Sequence, residues 1–258
     1  MSRKLAFFYD VSLEFSQPVR EHDFVLRCVP PNAAGQRILD FSLELTPNVT
    51  VSHQRDWLGN QIQAGRIAEE HGHFRYVIRG TAERDRTARQ ACAASPVFRF
   101  PTPTTAPSAE IEAFLASLTL PAGDAERAWA LSRAVGEYMQ YQSGSTGVGT
   151  TAAEAFAAGR GVCQDFAHVF LALARRAGLA ARYANGLSLG EGSSHAWCEV
   201  WLDGVWTGID PTRGVWADDS YIRFSVGRDF ADCPFERGVF RGSARQRQSV
   251  YMKVSEIG

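Results

Sequence analysis

Along the first hundred residues the apolar positions fall on a period of two. Phe7, Tyr9, Val11, Leu13 and Phe15 alternate with other residues across 5–15, the signature of a strand with one buried face. Residues 24–29, 38–45, 49–53 and 74–78 read the same way. Pro30-Pro31-Asn32, Pro47-Asn48 and the stretch 56–60 (DWLGN) punctuate them as turns. Short strands at this spacing predict an antiparallel β-sandwich over residues 1–100.

The stretch 98–107 (FRFPTPTTAP) carries three prolines in ten residues and reads as a linker. Beyond it the period lengthens. A short helix is predicted over 109–117. A longer one follows Asp124 as N-cap, with Trp129, Val135, Tyr138 and Met139 as its apolar set. Residues 142–150 form a Gly/Ser/Thr loop. Thr151 and Glu154 make a capping box for a short helix that stops at Gly159. Then Phe166, Val169, Phe170, Leu173, Ala174 and Ala177 form a helical stripe, with Arg175 and Arg176 in its last turn and Gly178 to end it. After Gly178 the period returns to two, over 181–189, 195–202 and 205–210. Asp203-Gly204 between the last two is a two-residue hairpin signal. Helices followed by antiparallel strands describe an α+β domain over 101–258.

Composition narrows the class without changing this outline. With 258 residues the chain has room for a sizeable core and two domains. Its net charge of −1 argues against nucleic acid or an anionic membrane as partner. The apolar run after Arg3 and Lys4 ends at Asp10, too short for the h-region of a signal peptide, and no apolar stretch approaches a membrane span. Five cysteines with no C-x-x-C pair fit free thiols, and hence a cytoplasmic protein, better than a disulfide framework or a zinc ribbon.

One of those cysteines stands in a particular place. In GRGVCQDFAHVFLALARRAG, Cys163 lies where a glycine-rich loop turns into the striped helix. Unpaired backbone N–H groups and the positive end of the dipole favour the thiolate, the nucleophilic form of cysteine. A small apolar residue packed at a helix start is the plainer reading of a lone cysteine. The hairpin supplies the contrast. If Leu202 pairs with Val205, then Trp197 faces Asp210 and His195 faces Thr212. His195, Trp197 and Asp210 therefore project on one side, with His195 and Asp210 as diagonal neighbours about 7–8 Å apart at the backbone. A thiol nucleophile needs a base, and the base needs a group that fixes its orientation. Cys163, His195 and Asp210 supply the three.

Other residues invite weaker readings. Cys198 points to the opposite face and belongs to the core. His168, about 140° around the helix from Cys163, reads as a structural hydrogen-bonder. Asp165 sits where a carboxylate caps free N–H groups. Trp197 and Trp201 pack around the imidazole, and nothing in the spacing selects Tyr138 or Tyr141 as a wall or oxyanion contact. The backbone N–H of Cys163 is the one oxyanion donor. His71 and His73 flank Gly72 without a third metal ligand at suitable spacing, and read as a solvated loop.

The segments GRGVCQDFAH, SHAWCEVWLDGVW, IDPTRG and GRDFADCPFERGVFRG closely resemble the bacterial branch of the transglutaminase-like superfamily. The N-terminal strands, with RDWLGN, are similar to the β-sandwich that often precedes that domain in bacteria. The resemblance implies a papain-like α+β core with a catalytic cysteine at a helix N-terminus. The family's Cys, His and Asp fall on Cys163, His195 and Asp210. It implies a thiol-dependent enzyme acting on amide bonds through a thioester, as a cysteine peptidase or amidase. Its partner would be a peptide or protein carrying an amide, with no nucleic acid and no membrane. An acyltransferase using the same site, a non-catalytic binding module with a relic triad, and a metal site built from the three residues stay open. No metal or organic cofactor is implied, and no acidic loop has the spacing for calcium.

Overall fold

The computed structural model describes residues 2–258. Five strands come first: β1 (Arg3–Leu26), β2 (Gln36–Thr46), β3 (Ser52–Arg55), β4 (Gln61–Ile67) and β5 (His71–Arg84). Helices α1 (Ala109–Ser117) and α2 (Asp124–Tyr138) follow, then β6 (Gln140–Tyr141), α3 (Ala152–Ala158), β7 (Arg160–Gly161) and α4 (Cys163–Arg176). The rest is β8 (Ala181–Ser188), β9 (Gly190–Gly192), β10 (His195–Leu202), β11 (Val205–Asp210), β12 (Val215–Trp216), β13 (Tyr221–Gly227), β14 (Glu236–Arg241) and β15 (Gln246–Glu256).

The strands expected at 5–15 and 24–29 fall largely within one 24-residue strand, β1. Its burial alternates as its sequence does, with Leu5, Phe7, Tyr9, Val11 and Leu13 inside. Its first half pairs with β5 and β15. After a register break between Glu14 and Val19, its second half pairs with β4 and β14. Because β1 belongs to both halves, the N-terminal strands join through it into one continuous sheet, and the antiparallel arrangement expected of them is met. The C-terminal strands β14 and β15 belong to this sheet too, although the sequence alone groups them with the helical half.

The second sheet has the order β12-β11-β10-β8-β13. Helix α4 covers one face, with Phe166, Val169, Phe170 and Leu173 packed on Cys198, Val200 and Ile209. Each such apolar side chain contributes about 1.5–3 kcal/mol when fully buried. The other face meets the first sheet. Leu187, Ile222 and Phe224 share a core with Leu5, Phe7 and Tyr9, and Phe7 meets Phe224 edge to face at 5.8 Å. Covered on both sides, β8 and β10 are buried almost throughout, unlike the alternating β1.

Two local expectations are met and three are corrected. Helix α1 begins and ends as predicted, and Asp124 opens α2, though as its first residue with Gly123 as N-cap. The Thr151/Glu154 capping box is present. The proline-rich stretch is not a free linker. Thr102 and Thr105 are buried, and the buried Arg175 of α4 donates to Thr105 Oγ1 at 2.9 Å. His71 is not in a solvated loop. It opens β5, is buried, and lies 3.2 Å from the buried His22.

Candidate active site

Cys163 is the first residue of α4, and the chain before it is built to place it there. Gly159 ends α3 in the left-handed region, at φ 62°. At Gly161 any Cβ would lie 2.5 Å from the Cβ of Asp165, so only glycine lets that side chain approach. Asp165 folds back over the helix start. Its Oδ2 accepts from the Val162 N–H and from Thr146 Oγ1, each at 2.7 Å. The expected capping role of Asp165 is met. The N–H of Cys163, in the first turn, has no place in the intrahelical ladder and points out of the helix end. Its thiol is partly exposed.

His195 and Asp210 arrive on the hairpin in the predicted register. Leu202 pairs with Val205 and Cys198 with Ile209. Asp203 and Gly204 both have positive φ, 48° and 85°, as a two-residue turn of this twist requires. Imidazole Nε2 meets Asp210 Oδ2 at 2.6 Å. Nδ1 is the nitrogen left for the Cys163 thiol, which is within hydrogen-bonding reach of the ring. Burial opposes a charge on His195. The hydrogen bonds to Asp210 and Cys163, together with their negative charges, outweigh it and push the imidazole up to about 9. Asp210 is also buried, which favours its neutral form. The His195 contact and the Tyr221 hydroxyl hold its carboxyl below the usual carboxylate range all the same.

The shell around Asp210 contains a residue that sequence reasoning missed. Tyr221, the first residue of β13, donates to Asp210 Oδ2 at 2.8 Å. Burial, and then the neighbouring carboxylate, push its phenol up, so the hydroxyl stays a donor. The other carboxylate oxygen accepts from the N–H groups of Thr212 (2.9 Å) and Arg213 (3.2 Å). Trp197 stacks near His195, with ring centroids 6.3 Å apart, and meets Tyr221 edge to face at 5.2 Å. At 2% exposure Trp197 is a buried wall, as expected.

The remaining candidates separate cleanly. The Cys198 thiol is buried against the Ala167 carbonyl at 3.5 Å, away from the site. His168 is buried, and its Nε2 accepts from the Phe230 N–H at 3.2 Å, the structural role expected of it. Trp201 is not at the imidazole. Its Nε1 donates to the Cys92 carbonyl at 2.9 Å. Tyr138 stacks on Phe156 at 4.2 Å and Tyr141 lies 6.4 Å from Phe166. Among the described residues, no group of three His, Cys, Asp or Glu side chains is arranged to hold a metal ion.

Comparison with known proteins agrees with this architecture. Residues 113–211 match the transglutaminase-like superfamily, and residues 6–83 match the bacterial transglutaminase-like N-terminal region. An uncharacterized protein of Mycobacterium leprae is 34% identical over 139 residues, which is 50% of this chain and 48% of that protein. An uncharacterized protein of Mycobacterium tuberculosis is 39% identical over 115 residues, 38% of this chain and 37% of its own. The matched parts thus span less than half the length of these relatives. A crystal structure of a candidate cysteine protease from Cytophaga hutchinsonii superposes with a TM-score of 0.81 at 22% identity. It covers 100% of this chain and 92% of its own. That likeness is one of fold. Residues 113–211 thus form a transglutaminase-like superfamily core, and the bacterial transglutaminase-like N-terminal region over residues 6–83 precedes it.

Proposed function

We propose that the protein is a thiol hydrolase of amide bonds, a cysteine peptidase or amidase in which Cys163 is the nucleophile. The observation that carries this reading is the His195 ring, bonded through Nε2 to the buried Asp210 at 2.6 Å and with the Cys163 thiol as its other hydrogen-bond partner. His195 takes the thiol proton. The sulfur adds to the amide carbonyl, and the oxyanion that forms accepts from the Cys163 N–H at the helix end. The C–N bond then breaks as the imidazolium delivers its proton to the leaving amine. This leaves a thioester on Cys163 and a neutral imidazole. Water, deprotonated by His195, cleaves the thioester and restores the thiol and the free acid. Asp210 keeps the ring oriented and stabilises its charged form throughout. Tyr221 holds Asp210.

The test is ammonia release from a glutamine-containing peptide, measured with and without a primary amine. Release independent of the amine, with the free acid as product and no activity in Cys163→Ala, is expected. Incorporation of the amine at the expense of the acid would make the enzyme an acyltransferase. Absence of both a trapped thioester and turnover across amide and peptide libraries would leave a non-catalytic module.

A further inference from the structure

A cavity well away from Cys163 stands out. It lies on the face of the second sheet away from α4, between the β10–β11 hairpin and the segment that leaves β5. It measures about 980 Å³, and none of Cys163, His195 and Asp210 lines it. That is ample for a small organic ligand. The segment leaving β5 is fastened across it. The Cys92 N–H donates to the Gly204 carbonyl at 2.8 Å, and Trp201 Nε1 donates to the Cys92 carbonyl at 2.9 Å.

The chemistry of the wall is one-sided. Five arginines, at 84, 86, 89, 182 and 223, face two carboxylates, Glu199 and Asp203. Glu199 is buried and bonded to both Arg182, at 2.7 Å, and Arg223, at 3.1 Å. One carboxylate is therefore shared by two guanidinium groups. Burial alone would raise its carboxyl, yet the two cations hold it down at about 2. Arg182 is fixed further by the Trp206 ring, 4.2 Å below its Cζ.

Arg84 has no such partner. Its Nη1 donates to the Gly35 carbonyl at 2.7 Å and to Gln36 Oε1 at 3.3 Å, while its Nε is buried with no acceptor. Among the described residues no carboxylate comes within ion-pair distance of Arg84, Arg86 or Arg89. Burial, and then the nearby Arg223 charge, pull the Arg84 guanidinium down to about 10 against the weaker opposing pull of Asp219, Glu199 and Asp218, so it remains charged at neutral pH. A buried donor without an acceptor is costly, and so is an excess of partly buried guanidinium charge over the carboxylates facing it; an oxyanion relieves both.

We propose that this cavity binds a small organic anion carrying two or more negatively charged oxygens, a polycarboxylate or a phosphate compound. Arg84 and Arg223 would contact it from the floor, and Arg86 and Arg89 from the exposed rim. Guanidinium forks suit such groups because they donate two parallel hydrogen bonds to one carboxylate or phosphate.

Citrate and inorganic pyrophosphate are the probes, titrated calorimetrically into the full chain at low and at high salt. One or both are expected to bind at one site with a dissociation constant below about 1 mM, weakening as salt rises. Arg84→Gln and the charge reversal Arg89→Glu should each weaken binding by about tenfold or more. Arg89 is exposed, so its variant decides the matter even if Arg84→Gln does not fold. No saturable binding of either anion up to about 10 mM by the folded wild type would overturn the proposal. So would binding that Arg89→Glu leaves unchanged.

Discussion

Asp210 accepts four hydrogen bonds while fully buried: from His195, Tyr221 and the N–H groups of Thr212 and Arg213. A carboxylate so held cannot turn, and it holds the imidazole in turn. Asp210→Asn keeps the shape but removes the charge. Turnover is expected to fall by about 10²–10⁴. Tyr221→Phe, which removes one hydrogen bond to a charged group, should cost about tenfold. In the wild type the imidazolium persists to about pH 9, so the alkaline limb of kcat/KM should lie near there. In Asp210→Asn it should move down toward the ordinary histidine value of about 6.5. A loss under threefold with an unmoved limb would remove Asp210 from this role. Thiol reactivity gives an independent check. Three of the five thiols, Cys28, Cys198 and Cys233, are buried, and Cys92 is exposed without an imidazole beside it. Iodoacetamide at pH 6 should therefore label Cys163 first in a peptide-mapping time course. Earlier labelling of Cys92 would count against Cys163 as nucleophile. The His195–Asp210 pair was legible because two strands joined by two residues have one register. Tyr221 was not, because β13 pairs with β8, and the order of strands that are not consecutive leaves no local trace.

At the scale of elements, two local devices bring the site together. The α3–α4 junction is encoded by glycines at 159 and 161 and by the Asp165 cap, all visible as short-range patterns. The β10–β11 hairpin is encoded by Asp203-Gly204. What neither encodes is their meeting, which depends on α4 docking through Phe166, Phe170 and Leu173 onto the Cys198 face of the sheet. A one-residue insertion between Gly208 and Ile209 separates the two contributions. It leaves the turn and α4 untouched but sends Asp210 to the opposite face or forces a bulge. Activity should fall at least as far as in Asp210→Asn, and Tm should drop because Ile209 leaves the α4 interface. Activity near the wild-type level would mean that the strand register does not position Asp210.

At the scale of the whole molecule, the first and last strands are neighbours. Register pairs run from Leu5 with Glu256 to Phe15 with Gln246, so the N-terminal sheet closes only after the core has been threaded. The sequence reading divided the chain near residue 100 because the proline-rich stretch is local and this pairing is not. The two halves share one core through Leu187, Ile222 and Phe224, and they should unfold together. Two buried neutral histidines, one in each half, make this measurable. Burial, reinforced by the His71 charge, pulls His22 down to about 4. Burial also pulls His168 down to about 4, against the opposing pull of Asp229. Unfolded, each titrates near 6.5. Below that value the unfolded chain binds more protons than the folded one, so stability is full above pH 6.5 and is lost as pH falls toward 4. His195 has the opposite sign. Its folded value of about 9 exceeds the unfolded one, so its contribution is full below pH 6.5 and is lost as pH rises through 9. Tm should therefore peak near neutral pH and fall by about 5 °C or more between pH 7 and pH 5 in a single transition. His168→Gln, which keeps an acceptor for the Phe230 N–H, should flatten the acid side and leave the alkaline side unchanged. A Tm that rises as pH falls, or two separate acid transitions, would show that the buried histidines do not link the two halves in this way.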